Sequence, residues 1–190
     1  MSHQAAVVIA VVLTAAAITV NALVMGPAVI LLNIGLVASL LAWLTTGGGR
    51  PFPTRLVGPI YLASIAAQTC HFIEEYAGRL YELAPPLFDL SPLPAQKFVV
   101  FNLIWIGIFL VSAFGVFRRV PLALLPVWFM ALIGGIGNSI FHTWLAVQSG
   151  EYAPGLATAL INLPLGIALA YLLANPKGPR SAKTPRRAIR

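Results

Sequence analysis

The chain has 190 residues, of which 59% are hydrophobic and only 9% charged, with a net charge of +7. A soluble domain carries roughly 25% charged residues, so this chain cannot cover its apolar surface in water, and a single integral membrane domain is expected. The basic residues form no stripe with interleaved aromatics but sit at span ends and in the C-terminal segment, as in membrane topology signals, which argues against nucleic acid as a partner.

In chain order, the N-terminal segment MSHQAAVVIAVVLTAAAITV has no basic n-region and is expected to be a retained first span rather than a cleaved signal. Residues 5–44 are almost unbroken apolar sequence, far longer than the roughly 20 residues of one crossing. Gly26-Pro27 is a turn signal that divides them into spans at about 5–24 and 28–45. A third span is expected over about 56–80. A proline-rich connector of 16 residues, YELAPPLFDLSPLPAQ, comes next. Three more spans are expected at about 97–117, 121–146 and 156–174. The predicted fold is therefore an all-α bundle of six transmembrane helices in one domain, 1–175, with a basic, disordered cytoplasmic tail at 176–190.

Charge supports this count. With both termini cytoplasmic, ten of the twelve basic residues fall on the inner side, and Glu82, Asp89 and Glu151 fall on the outer side. The expected location is the inner (cell) membrane. Cys70, the single cysteine, excludes an intrachain disulfide framework and reads as an inert buried thiol. No internal repeat of the kind built into many transporters is visible.

The third span carries the chemistry. It ends in HFIEEY, residues 71–76, which holds two of the chain's five acidic residues. Helical residues three and four apart share a face, so His71, Glu74 and Glu75 point to one side. In the fifth span Asn138 and His142 are four apart. Counted from their outer ends, these groups lie at one depth, with Asn102 in the fourth span and Asn162 in the sixth. Asn21 and Asn33 bracket the first outer turn, and Gln68 and Thr69 lie on the approach. Polar groups at depth in a bilayer cost several kcal/mol by most scales. Their agreement across spans favours one shared pocket, to which Trp105 could contribute a wall.

Two adjacent carboxylates in a low dielectric need compensation. A divalent metal (zinc, iron or manganese) is one solution, with His71, Glu74, Glu75 and His142 as the candidate ligands. A metal-free acid/base pair, in which one glutamate stays protonated and shares its proton with a histidine, is the other. Structural readings stand beside both. His142, Asn102 and Asn162 could be interhelical hydrogen-bonding residues, Asn138 a packing residue in GGIGNS, Glu75 an interface residue, and Trp105 a packing aromatic.

His71-Phe72-Ile73-Glu74-Glu75 reads H-x-x-E-E. With the downstream Asn138-x-x-x-His142, the chain resembles the HXXEE domain family of small multi-pass membrane proteins, over roughly residues 55–175. That resemblance implies a site at these residues and supplies no reaction.

The expected function is a membrane-embedded enzyme acting on a lipid or isoprenoid-like substrate. His71, Glu74, Glu75 and His142 would be catalytic groups or ligands, and Asn138, Asn102, Asn162 and Trp105 substrate contacts. Membrane lipid and an apolar small molecule are the expected partners. A proton or divalent-metal transporter and a structural membrane subunit are the alternatives.

Overall fold

The computed structural model describes residues 2–46 and 52–175. The expected tail at 176–190 and Arg50 in the first inner loop lie outside the described residues. Every regular element among the described residues is helical. Among the described residues, five stretches are long and apolar enough to cross a membrane. The first, 43 residues from His3 to Thr45, is folded back on itself into two helices.

That fold-back confirms the turn expected at Gly26-Pro27. Helix α1, His3–Met25, ends where Gly26 adopts a positive φ of 64°, a conformation glycine takes without a Cβ clash. A single 3-10 turn with Pro27 near its start leads into α2, Ile30–Thr45. Asn21 Nδ2 donates to Asn33 Oδ1 at 3.1 Å across the turn. In one continuous helix these residues would stand about 18 Å apart. Asn21 and Asn33 therefore clasp the hairpin to itself. The other end of α2 is pinned by Trp43, whose indole donates to the Pro121 carbonyl at 3.0 Å.

Helix α3, Thr54–Ala77, carries the H-x-x-E-E motif near its C-terminal end. The connector after it is not an open loop. It forms a short helix α4, Leu80–Leu83, and a 3-10 turn, Pro85–Phe88. Tyr81 stacks on Tyr76, and Phe88 lies against Phe141 and Trp144. The prolines predict a broken segment here, but aromatic packing and the Leu93 N–H to Tyr81 carbonyl bond fold it down onto the bundle. Helix α5 is Ala95–Phe117.

The fifth crossing is composite. Helix α6, Leu124–Phe129, runs into a π-helical stretch, Met130–Gly137, and then into α7, Asn138–Ser149. Each i→i+5 turn holds one residue more than an α-turn, so it rotates the rest of the crossing by about 100° relative to a continuous α-helix. The faces presented by Asn138 and His142 are set by this stretch. Helix α8, Leu156–Ala174, crosses it at closest range. A Cβ on Gly135 would lie 2.6 Å from Gly166 Cα, and one on Gly166 would lie 2.7 Å from the Ala131 carbonyl oxygen. Small residues let membrane helices touch through their backbones.

Helix α3 packs between α5 and α8, and α2 packs on α6. The centre is aromatic, with Trp105 stacked on Phe129 at 4.6 Å. Around the outside, large apolar side chains such as Leu23, Val111, Phe114 and Val147 stand exposed, and so does Cys70, expected to be buried, which α3 turns outward among them. A coat of this extent is incompatible with water and natural in lipid.

Candidate functional site

At the connector end of the bundle, α3 and α7 bring His71, Glu75 and His142 together. Glu75 Oε1 lies 3.2 Å from Nε2 of His71 and 3.2 Å from Nε2 of His142. One ligand atom from each residue falls within 4.8 Å of the others. The two imidazoles meet edge to face, with centroids 4.8 Å apart. All three residues are buried, both histidines almost completely. The i, i+4 spacing in α3 places His71 beneath Glu75, and the π-helical rotation turns His142 toward them.

Glu74 has a different environment. One oxygen accepts from the Thr158 hydroxyl and, at 3.0 Å, from the Thr158 N–H. The other accepts from the Tyr152 hydroxyl and, at 3.3 Å, from the Ala157 N–H. Ala157 and Thr158 lie in the first turn of α8, where backbone N–H groups lack intrahelical acceptors. Gly155 precedes that turn and has no side chain to cap it. Glu74 supplies the cap from another helix, and its charge sits at the positive end of the α8 dipole. The two adjacent carboxylates are thus kept apart, one in the His cluster and one on α8. The Glu74 carboxylate also pushes the Tyr152 phenol above its ordinary range, chiefly through their hydrogen bond.

Thr158 connects the two environments. Its Oγ1 lies 3.0 Å from His71 Nδ1. The hydroxyl has one proton, which goes to Glu74, so the oxygen accepts from His71 Nδ1–H. In a neutral His71 the Nε2 facing Glu75 is therefore a bare lone pair. A lone pair and a carboxylate oxygen 3.2 Å apart repel one another unless a cation or a proton lies between them. A ligating histidine held at its far nitrogen by a hydrogen-bonded acceptor is the usual outer-shell arrangement at metal sites.

Gly155 closes the cluster from the loop side. It has a φ of +93°, and a Cβ there would lie 2.6 Å from His142 Cε1, 2.9 Å from His71 Cε1 and 3.0 Å from Glu75 Cγ. Only a residue without a side chain fits against all three.

On another side Glu75 lines a cavity of about 820 Å³. Its walls come from α2, α3, α5 and the fifth crossing, and the folded connector roofs it. The lining is almost entirely apolar. Its side-chain amides are Gln68, Asn102 and Asn138, and Trp105 contributes an aromatic wall. Asn102 is buried, and its Nδ2 has no partner among the described residues. Asn162 is not part of this lining; it lies behind Gln68 and donates to Gln68 Oε1 at 3.1 Å.

Of the residues singled out in the sequence, His71, Glu75 and His142 converge in one cluster. Asn138, Asn102 and Trp105 share the adjoining cavity. Glu74 and Asn162 face elsewhere, toward α8 and Gln68. Arg79 pairs with Glu82 at 2.7 Å on the connector and not with Glu74. Sequence reading missed Thr158, Tyr152 and Gly155. A signal for them exists in YAPGLAT. There a helix start has no Ser, Thr, Asp or Asn at its cap position, so an acceptor must come from outside.

Comparison with curated proteins and with solved structures gives no match for this chain. The family described as "Protein of unknown function with HXXEE motif" matches residues 62–169, from α3 through most of α8, a stretch that holds the whole His–Glu cluster and its cap. The chain belongs to the HXXEE family.

Proposed function

We propose that this protein is a membrane-embedded enzyme in which His71, Glu75 and His142 hold a divalent metal beside an apolar cavity that receives a lipid or isoprenoid-like substrate. The observation that carries this reading is the convergence of two imidazole nitrogens on one carboxylate oxygen, with the far nitrogen of His71 occupied by Thr158. Two histidines and one carboxylate suit zinc, iron or manganese and leave coordination positions open. A metal there would polarise an oxygen of the substrate or of water. The protein's own residues do the rest: Thr158 fixes the His71 ring, Glu74 fixes Thr158, and the roofed apolar cavity limits water.

A cluster closed toward one side supports an enzyme over a transporter. In the other half of the bundle the hydroxyls of Thr14, Ser39, Ser64 and Ser112 donate to main-chain carbonyls. Among the described residues no acidic, basic or imidazole side chain continues the cluster through that half. By the distribution of basic residues, the cluster faces the outer side of the membrane.

A second reading is favoured by His142, whose Nδ1 has no partner among the described residues. Its tautomer is free, so it can donate from Nε2 to Glu75 while a proton lies between Glu75 and His71. That pair would act as a general acid/base toward an apolar substrate.

The test is elemental analysis of detergent-purified protein, wild type beside His71→Ala, His142→Ala and Glu75→Gln. Stoichiometric metal in the wild type and its loss in all three variants is the expected result. A stable wild type that takes up no zinc, iron or manganese on reconstitution would remove the metal and leave the acid/base pair.

A further inference from the structure

The cavity also specifies what kind of lipid it takes. Resting on the reading of this cavity as the substrate compartment, we infer that its occupant is a neutral, single-oxygen-headed apolar chain, such as a long-chain alcohol or aldehyde. We infer further that Asn102 holds the oxygen and that the chain reaches the cavity sideways from the bilayer.

Three observations carry this. The first is Asn102. It is 7% exposed, it lines the cavity, and its Nδ2 donor has no acceptor among the described residues. A buried donor left unpaired is costly, and a ligand oxygen would satisfy it once the Asn102 amide turns that donor toward the cavity. Asn138 lines the same cavity and offers a second amide.

The second observation is charge. Among the cavity-lining residues there is no lysine, arginine or histidine, and the one ionisable carboxylate is Glu75. A phosphate or carboxylate head would find no cationic side chain in the cavity wall; the one cation open to it would be a metal held by Glu75, whose charge that carboxylate already offsets in part. Anion sites are built from the opposite chemistry, arginine, lysine or a free helix N-terminus. The nearby helix N-terminus, that of α8, is already occupied by Glu74. Phospholipids and fatty acids are thereby disfavoured, and a neutral oxygenated chain is left.

The third observation is the route. Ile30, Leu31 and Ile34 on α2 and Ile140 on α7 line the cavity, and they are also 63%, 53%, 60% and 65% exposed. A side chain can do both only where the wall is open. Phe88 on the connector and Trp144 on α7 line the cavity as well and are 45% and 40% exposed, so the opening lies between α2 and α7 beside the connector, and its side chains are all apolar. A volume of about 820 Å³ lies within the range of ligand pockets, ~300–1,000 Å³.

The experiment uses hexadecanol carrying a diazirine, irradiated with the full-length protein in lipid nanodiscs, with peptide mapping of the products. Labelling at cavity residues of α2, α5 and α7, competed by unlabelled hexadecanol, is expected. Hexadecyl phosphate should compete about tenfold less well, and Asn102→Leu should cut cavity labelling about tenfold, the effect of losing one buried hydrogen bond. Ile140→Trp, which narrows the opening without touching a polar group, should slow labelling while leaving its final pattern in place. Equal competition by hexadecyl phosphate would overturn the neutral head, and unchanged labelling in a folded Asn102→Leu would overturn the anchor. Labelling confined to lipid-facing residues such as Leu13 and Leu23 would overturn the compartment itself. The same labelling in His71→Ala separates the two readings. If cavity labelling persists there while metal analysis fails, this inference stands without the metal. If metal is bound and the cavity is never labelled, the inference falls alone.

Discussion

Replacing Glu74 by glutamine tests whether the adjacent glutamates have separate roles. Glutamine keeps the shape of Glu74 but turns one oxygen into an NH2 group. Glu74 receives four donors, two on each oxygen. In the variant one pair of donors faces another donor, and the other pair keeps an acceptor without the charge. Hydrogen bonds to charged groups contribute about 1.5–3 kcal/mol each in buried settings, and a carboxylate at a helix N-terminus adds about 0.3–1 kcal/mol. Glu74 is only half-buried, so the lower ends apply. Losing two such bonds, with part of that loss recovered by water, gives a destabilisation of about 2–3 kcal/mol. The assay is unfolding in mixed micelles of mild detergent and dodecyl sulfate, read by tryptophan fluorescence. Glu75→Gln is run beside it, with bound metal measured for both. Glu74→Gln should lose stability and bind metal about 10–100-fold more weakly, as expected when an outer-shell partner is removed. Glu75→Gln should lose the metal outright and change stability less. The reasoning fails if Glu74→Gln unfolds at the wild-type midpoint, or if the two variants cannot be told apart.

Gly155→Ala should cost about 3 kcal/mol, from an L-residue at positive φ (about 1–2 kcal/mol) and a Cβ forced against two histidines. The same unfolding assay checks it, and a loss under about 0.5 kcal/mol would contradict the closure of the cluster by Gly155. The Tyr152 phenol, raised by its bond to Glu74, gives an alkaline signature. A folded-state value above the unfolded one, about 10, means that its stabilisation is fully present below pH ~10 and is lost as pH rises through the folded value. Wild type should therefore lose more stability than Tyr152→Phe as pH rises above about 10, and parallel losses in the two proteins would contradict the bond.

Much of the architecture is legible in the apolar runs, because a lipid solvent leaves a chain few choices besides helices of crossing length. Gly26-Pro27 announces the hairpin because the positive φ at Gly26 needs glycine. The meeting of His71 with His142 is legible from i, i+4 spacing and similar depth. The separation of Glu74 from Glu75 is not. Both lie within one arc beyond His71, and which of them meets α7 depends on how α3 is rotated in the bundle, a matter of packing against α5 and α8. The π-helical rotation before Asn138 is hidden for a related reason. MALIGGIG carries no proline at the place where the helix widens, and its glycines read equally well as a packing face. The connector's prolines read as breaks, whereas Tyr81 and Phe88 make it a roof.

The cap on α8 has a consequence for biogenesis. Of the elements that build the site, α8 is the last in chain order. Before it docks, Glu74 has no helix to cap, Thr158 is not beside His71, and Gly155 does not cover the histidines. A chain that has inserted only its first five crossings therefore carries the whole H-x-x-E-E motif and His142 but not the arrangement that orders them. Ordering of the His–Glu cluster coincides with the arrival of α8, so the incompletely inserted protein is kept from exposing an ordered cluster to the bilayer.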